Sequence, residues 1–118
     1  MTDQEAIISL TQAEKVKAGL IWASQSVEGF AGMSPAERRG AEKVVAGLVG
    51  MISAEAILAN RLGKDRYWRQ VVRHLENAQV MIRSGVTDEA PFHLTGALQQ
   101  VTDIGRRAMT HLKEKGLL

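Results

Sequence analysis

Apolar residues recur at steps of three and four along most of the chain, and no segment shows the two-residue alternation of a half-buried strand. Thr2 and Ser34 each precede a glutamate by three residues, which is the capping-box pattern of a helix start. Gly63 and Gly85 are typical of helix ends. The pattern therefore predicts four helices, near residues 3–29, 35–62, 65–84 and 89–115.

Helices 1, 3 and 4 of this prediction each carry a stripe of apolar residues on one side, exemplified by Leu20, Leu75 and Val101. The turns between the helices are short, and short turns between long helices favour antiparallel neighbours. We therefore predict an all-α fold, an antiparallel up-down-up-down four-helix bundle, with residues 1–118 as a single domain.

Helix 2 differs from the others because Glu55 is the only charged residue between positions 44 and 60. A bundle normally leaves one side of each helix in water, so a helix without a charged face predicts a covering neighbour. Either a tightly packed neighbour within the same bundle or a helix of a second subunit could supply it, and we predict a homodimer. The predicted interface consists of Ala46, Gly47, Gly50, Ser53 and Ile57 from helix 2, with Ile8 and Trp22 from helix 1.

Glu55 falls within the apolar stripe of helix 2, where an unpaired carboxylate would be costly to bury. Antiparallel pairing of helices 1 and 2 places it level with Ser9, the one polar residue of the helix 1 stripe. We therefore predict a buried polar layer of Ser9 and Glu55. The layer either fixes the register of the two helices, or provides a carboxylate with a raised pKa as a ligand or base.

Composition narrows the classes of function. Aromatic residues make up only 4% of the chain, so the core must be aliphatic, and the net charge of +2 does not by itself indicate a nucleic-acid or membrane partner. The absence of cysteine excludes disulfides and thiolate metal sites. The acidic, polar first residues lack the pattern of a secretory signal, and we predict a cytoplasmic protein without a membrane partner.

No pattern of metal-binding residues is evident. No glutamate is followed three residues later by histidine, as the di-iron centres of four-helix bundles require. His93 and His111 are eighteen residues apart, and His74 is expected level with Val101, between them. We therefore predict no metal and no cofactor, and, since no catalytic constellation stands out, a non-catalytic protein.

Helix 3 is basic, with six lysines and arginines against two acidic residues between positions 61 and 85. Its basic face could contact phosphates, although the outer face of any bundle helix is usually charged. The predicted basic face consists of Arg66, Arg69, Arg73 and His74.

Arg69 and His74, like Arg106 and His111, are separated by four residues, a spacing similar to the loose Arg-x4–6-His pattern of HEPN ribonucleases. Nine arginines and three histidines produce such spacings by chance, and the residue after Arg69 is Gln70 where the pattern commonly has Asn. The spacing does not establish membership of that family.

The sequence thus favours a non-catalytic, self-associating interaction module, a homodimer that could also present a surface to a protein partner. One alternative is a nucleic-acid or nucleotide-binding bundle that uses the basic face of helix 3, with a HEPN-like ribonuclease as one form of it. The other is a bundle that binds a small apolar ligand near Glu55 and Trp68.

Overall fold

The computed structural model describes all 118 residues and contains four α-helices and no strand. Short 3-10 turns, Gly29–Gly32 and Thr87–Glu89, follow the first helix and precede the last. The predicted all-α fold is confirmed, with helix ends close to the predicted ones. The helices are α1 (Asp3–Glu28), α2 (Pro35–Leu62), α3 (Trp68–Arg83) and α4 (Ala90–Glu114).

Both predicted capping boxes are present. The Thr2 hydroxyl accepts a hydrogen bond from the Glu5 backbone N–H at 3.1 Å, and the Glu5 carboxylate accepts one from the Thr2 N–H at 2.9 Å. Ser34 and Glu37 make the same reciprocal pair, with Pro35 at the first helical position. These hydrogen bonds lower the pKa of both glutamates, because the ionised carboxylate is the better acceptor.

Each helix packs against the next along the chain, and α4 packs against α1, which closes an antiparallel four-helix bundle of 53 × 21 × 18 Å. The core is aliphatic apart from Trp68, which is fully buried, and Phe30. The largest of its fully buried aliphatic side chains are Leu20, Leu75, Ile82, Leu94 and Ile104. None of the helices has the length and apolarity needed to span a membrane.

The small residues of α2 face α3 of the same chain, and this corrects the predicted interface. Ala46 and Ser53 are buried, and the Gln79 side chain of α3 donates a hydrogen bond to the Ala46 carbonyl at 3.0 Å. A Cβ added at Gly50 would lie 2.5 Å from Nε2 of Gln79. Ala46 and Gly50 are therefore covered within the bundle, because their small size lets the long Gln79 side chain lie over the α2 backbone, and Ser53 is buried as well.

The other residues of the predicted interface remain uncovered to different degrees. Gly47 is exposed, and no other part of the chain lies within 4 Å of a Cβ added there. Trp22 is 63% exposed and Ile57 is 43% exposed, while Ile8 is half-buried. Gly47, Trp22 and Ile57 are thus open to solvent in the subunit.

Candidate functional site

An uncharged strip of exposed residues runs along the outer side of α2. Its members recur at alternating steps of four and three, which is the spacing of a coiled-coil seam. We call it the α2 stripe, and it consists of Gly40, Val44, Gly47, Met51, Ala54 and Leu58. Val44 is 73% exposed, Met51 65% and Leu58 41%, so large apolar side chains face solvent where a lone surface helix would carry charges.

Two grooves between α1 and α2 border the stripe. One, of about 490 Å³, is lined by Trp22 of α1 and by Leu48 and Met51 of α2, among others, and it reaches Glu55 and Lys15. The second, of about 460 Å³, is lined by Phe30, Met33 and Val44, among others. The apolar surface therefore extends from the α2 stripe toward α1.

Glu55 lies at the edge of the first groove and does not contact Ser9. Its carboxylate accepts a hydrogen bond from the Gln12 side-chain amide at 2.9 Å and lies 3.5 Å from the ammonium of Lys15. The side chain is 37% exposed. The Gln12 hydrogen bond, assisted by the charge of Lys15, lowers the pKa of Glu55 although partial burial opposes this. The expectation of a buried carboxylate with a raised pKa is therefore wrong.

The register of the first two helices explains this error. The 3-10 turn Gly29–Gly32 extends helix 1, and the chain reverses only at Met33 and Ser34, whose backbone is extended. The longer first arm shifts the pairing by about one turn, so Glu55 meets Gln12 where the sequence predicted Ser9.

Ser9 instead lies beside the connection between α2 and α3. Its hydroxyl is fully buried and has no hydrogen-bond partner, and the same is true of the indole N–H of Trp68. A Cβ added at Gly63 would lie 2.6 Å from the Ser9 hydroxyl and 3.4 Å from the Trp68 nitrogen. Trp68 is therefore in the core beside Gly63 and Ser9, and the tryptophan that lines the groove at Glu55 is Trp22.

The structure brings together two histidines that the sequence placed apart. The Nδ1 atoms of His74 on α3 and His93 on α4 are 3.2 Å apart. Gly96 allows this, because a Cβ at that position would lie 2.8 Å from the His74 ring. The ring therefore lies directly against the α4 backbone and reaches His93, one turn away, whereas the sequence placed it level with Val101. His111 is separate and lies 2.8 Å from the Asp3 carboxylate.

Partial burial lowers the pKa of His74, and the neighbouring His93 and the charge of Arg73 lower it further. All three effects disfavour the imidazolium form. His74 is therefore neutral at pH 7, and the two rings are linked by a hydrogen bond whose direction depends on their tautomers.

The predicted basic face is only partly assembled. Arg69 and Arg73 are exposed on α3, but the Arg66 guanidinium hydrogen-bonds the Tyr67 hydroxyl at 2.8 Å and stacks on its ring. His74 turns toward α4, where it pairs with His93. Arg66, Arg69 and Arg73 are all exposed, so the face predicted from the sequence is reduced to its three arginines.

One polar cluster was not predicted at all. Asp65, which is buried, accepts hydrogen bonds at 3.1–3.2 Å from the Arg107 guanidinium of α4, and that guanidinium stacks on the Tyr67 ring. Asp65 also accepts a hydrogen bond from the Tyr67 backbone N–H, so helix α3 begins at Trp68, later than predicted. Asp65 and Arg107 are 42 residues apart, and no local pattern links them.

No group of three or more histidine, aspartate or glutamate side chains is arranged to hold a metal ion. We found no match to the chain among protein-family models, curated proteins or solved structures. The function of the protein is therefore inferred from the surface chemistry of the bundle.

Proposed function

We propose that this protein is a non-catalytic interaction module that forms a homodimer through the α2 stripe. The observation that carries the proposal is the exposure of Val44, Met51 and Leu58 at coiled-coil spacing. Fully burying an apolar side chain of this size contributes about 1.5–3 kcal/mol, so this surface gains free energy when another apolar surface covers it.

The spacing of the stripe favours a helix as the covering element, because side chains at steps of three and four interlock with those of a facing helix. The order of residue sizes then favours a second copy of the same helix. Large and small residues alternate along the stripe, so two antiparallel copies fit each other. Val44 then faces Ala54 of the second copy, Met51 faces Gly47, and Leu58 faces Gly40.

The charges at the ends of the stripe support the same orientation. In this register Glu37, one turn before the stripe, lies opposite Arg61 of the second copy, and both residues are exposed. In a parallel pair each of these residues would face its own copy, so that like charges meet and large side chains meet large ones. The antiparallel pairing is therefore the one that we propose.

This proposal moves the predicted dimer interface around α2. Gly47 stays in it, and Trp22 lies beside it across the groove, whereas Ala46, Gly50 and Ser53 belong to the contact with α3. The basic face of α3 supports the nucleic-acid alternative less well, because Arg66 and His74 are engaged within the subunit. A cytoplasmic location and a further protein partner remain predictions from the sequence.

Charge substitution tests the proposal. Val44→Glu and Met51→Glu place a carboxylate in the seam, and Val80→Glu is the matched control because Val80 is 62% exposed on α3, away from the stripe. Sedimentation equilibrium should show a dimer for the wild type and for Val80→Glu, and monomers for the two stripe variants. A monomeric wild type at high micromolar concentration, or dissociation by all three substitutions alike, would contradict the proposal.

A further inference from the structure

The paired imidazoles of His74 and His93 form a second chemical feature, which lies between α3 and α4 and includes no residue of α2. Both rings are half-buried, and they come from different helices, α3 and α4. Nothing in the proposed dimer requires them, so a role for this pair does not depend on the proposed function.

The two Nδ1 atoms are 3.2 Å apart. Two nitrogens bound to one tetrahedral Zn²⁺, each at about 2.0–2.1 Å, lie about 3.3 Å apart. In the square-planar arrangement typical of Cu²⁺ and Ni²⁺, neighbouring nitrogens at the same bond length lie about 2.9 Å apart. The separation in this protein is closer to the tetrahedral value.

The surroundings hold the pair in place. Gly96 leaves room for the His74 ring against the α4 backbone, and the ring of Phe92 packs edge-on against the His93 ring with 5.3 Å between centroids.

We propose that His74 and His93 are a bidentate site for a divalent transition metal ion of the Zn²⁺ class. Nδ1 of each ring supplies one of the two protein ligands, and the proton of the hydrogen bond that joins them moves to Nε2 of the ring that carries it. Water supplies the remaining ligands, since no third histidine or carboxylate side chain is grouped with the pair. The ion would join α3 to α4 near the middle of α3, so that its binding stabilises the bundle.

Isothermal titration with Zn²⁺, together with long-range ¹H–¹⁵N spectra of the imidazoles, tests the site. We expect one saturable ion per chain, and shifts of the Nδ1 resonances of His74 and His93. The site variants are His74→Gln and His93→Gln. His111→Gln is the control, because His111 pairs with Asp3 and is separate from the site. Loss of a residue that only positions a metal ligand typically lowers the metal affinity by about 10–100-fold. Each site variant removes a ligand itself, so it should bind Zn²⁺ at least about tenfold more weakly.

A fourth variant keeps both histidines but displaces one ring. Gly96→Ala puts a methyl group where the His74 ring lies, so it should also weaken Zn²⁺ binding, while the higher helix propensity of alanine favours the fold. Absence of saturable binding up to millimolar Zn²⁺ would overturn the proposal. Wild-type affinity in either His→Gln site variant, or a loss of affinity confined to His111→Gln, would overturn it as well.

Discussion

At the scale of single residues, the Ser9 hydroxyl is an unpaired polar group in the core. It is fully buried without a hydrogen-bond partner, and leaving a buried polar group unpaired costs about 1–3 kcal/mol. Ser9→Ala removes that group, so we expect the free energy of unfolding in urea to stay equal or rise by about 1 kcal/mol. Ser24→Ala, at a half-buried position of the same helix, corrects for helix propensity.

A polar layer that stabilises the bundle through Ser9, as the sequence suggested, would give the opposite result for the same substitution. A fall in the free energy of unfolding of more than about 1 kcal/mol relative to Ser24→Ala would mean that the hydroxyl has a favourable partner.

His74 should make the stability of the protein depend on pH. Its pKa is lowered from 6.5 in the folded state, so below about pH 6.5 the unfolded chain takes up a proton that the folded protein resists. The free energy of unfolding should therefore fall as the pH drops from about 7.5 to about 5.5. His74→Gln should reduce this slope in urea denaturation with a chelator present, and an unchanged slope would contradict the assignment.

The site residues show where inference from the sequence stops. The absence of charge in the middle of α2 predicted that this helix is covered, but it does not show which side is covered, because successive residues are rotated by only 100° about the helix axis. In the structure the side with Ala46 and Gly50 faces α3, and the polar Gln79 side chain lies across it. The pairing of His74 with His93 similarly depends on Gly96, whose effect is visible only in three dimensions.

At the scale of the helices, the ends were predictable and the registers were not. Local hydrogen bonds at Thr2 and Ser34 determine where α1 and α2 begin, and such bonds involve residues within one turn. Registers depend on the geometry of the connections. Because of the 3-10 turn Gly29–Gly32, Glu55 contacts Gln12 and not Ser9. The hydrogen bond from the Tyr67 N–H to the Asp65 side chain places the start of α3 at Trp68.

The contact between the start of α3 and the surface of α4 depends on Arg107. The Asp65 side chain is 5% exposed, so removing its partner leaves a buried carboxylate uncompensated. Because Arg107 itself is 41% exposed, solvent softens the loss, and we expect Arg107→Gln to lower the free energy of unfolding by about 1–3 kcal/mol.

The neighbouring arginine provides the control for this prediction. Arg106 is 71% exposed and pairs with Asp103 on the same helix, so Arg106→Gln should change the free energy of unfolding by less than about 0.5 kcal/mol. Equal effects of the two substitutions in chemical denaturation would show that Asp65 does not depend on Arg107.

At the scale of the whole molecule, the bundle leaves one side of α2 uncovered. Helix α2 packs against α1 and α3, and its remaining side presents the α2 stripe, bordered by two grooves that lead toward α1. The sequence predicted the four-helix architecture because the apolar stripes and short turns specify it. It did not reveal which side of α2 stays uncovered, and that side is the one on which large and small residues alternate.

The distance between two copies of one label on α2 tests the central claim most directly. The chain has no cysteine, so Arg39→Cys, exposed and outside the stripe, carries a single spin label. In the antiparallel register the two labels lie about 30 Å apart along the helix axes, given a rise of 1.5 Å per residue. Electron–electron double resonance should show a distance of at least about 30 Å, whereas no dipolar coupling, or a distance below about 20 Å, would contradict the antiparallel dimer.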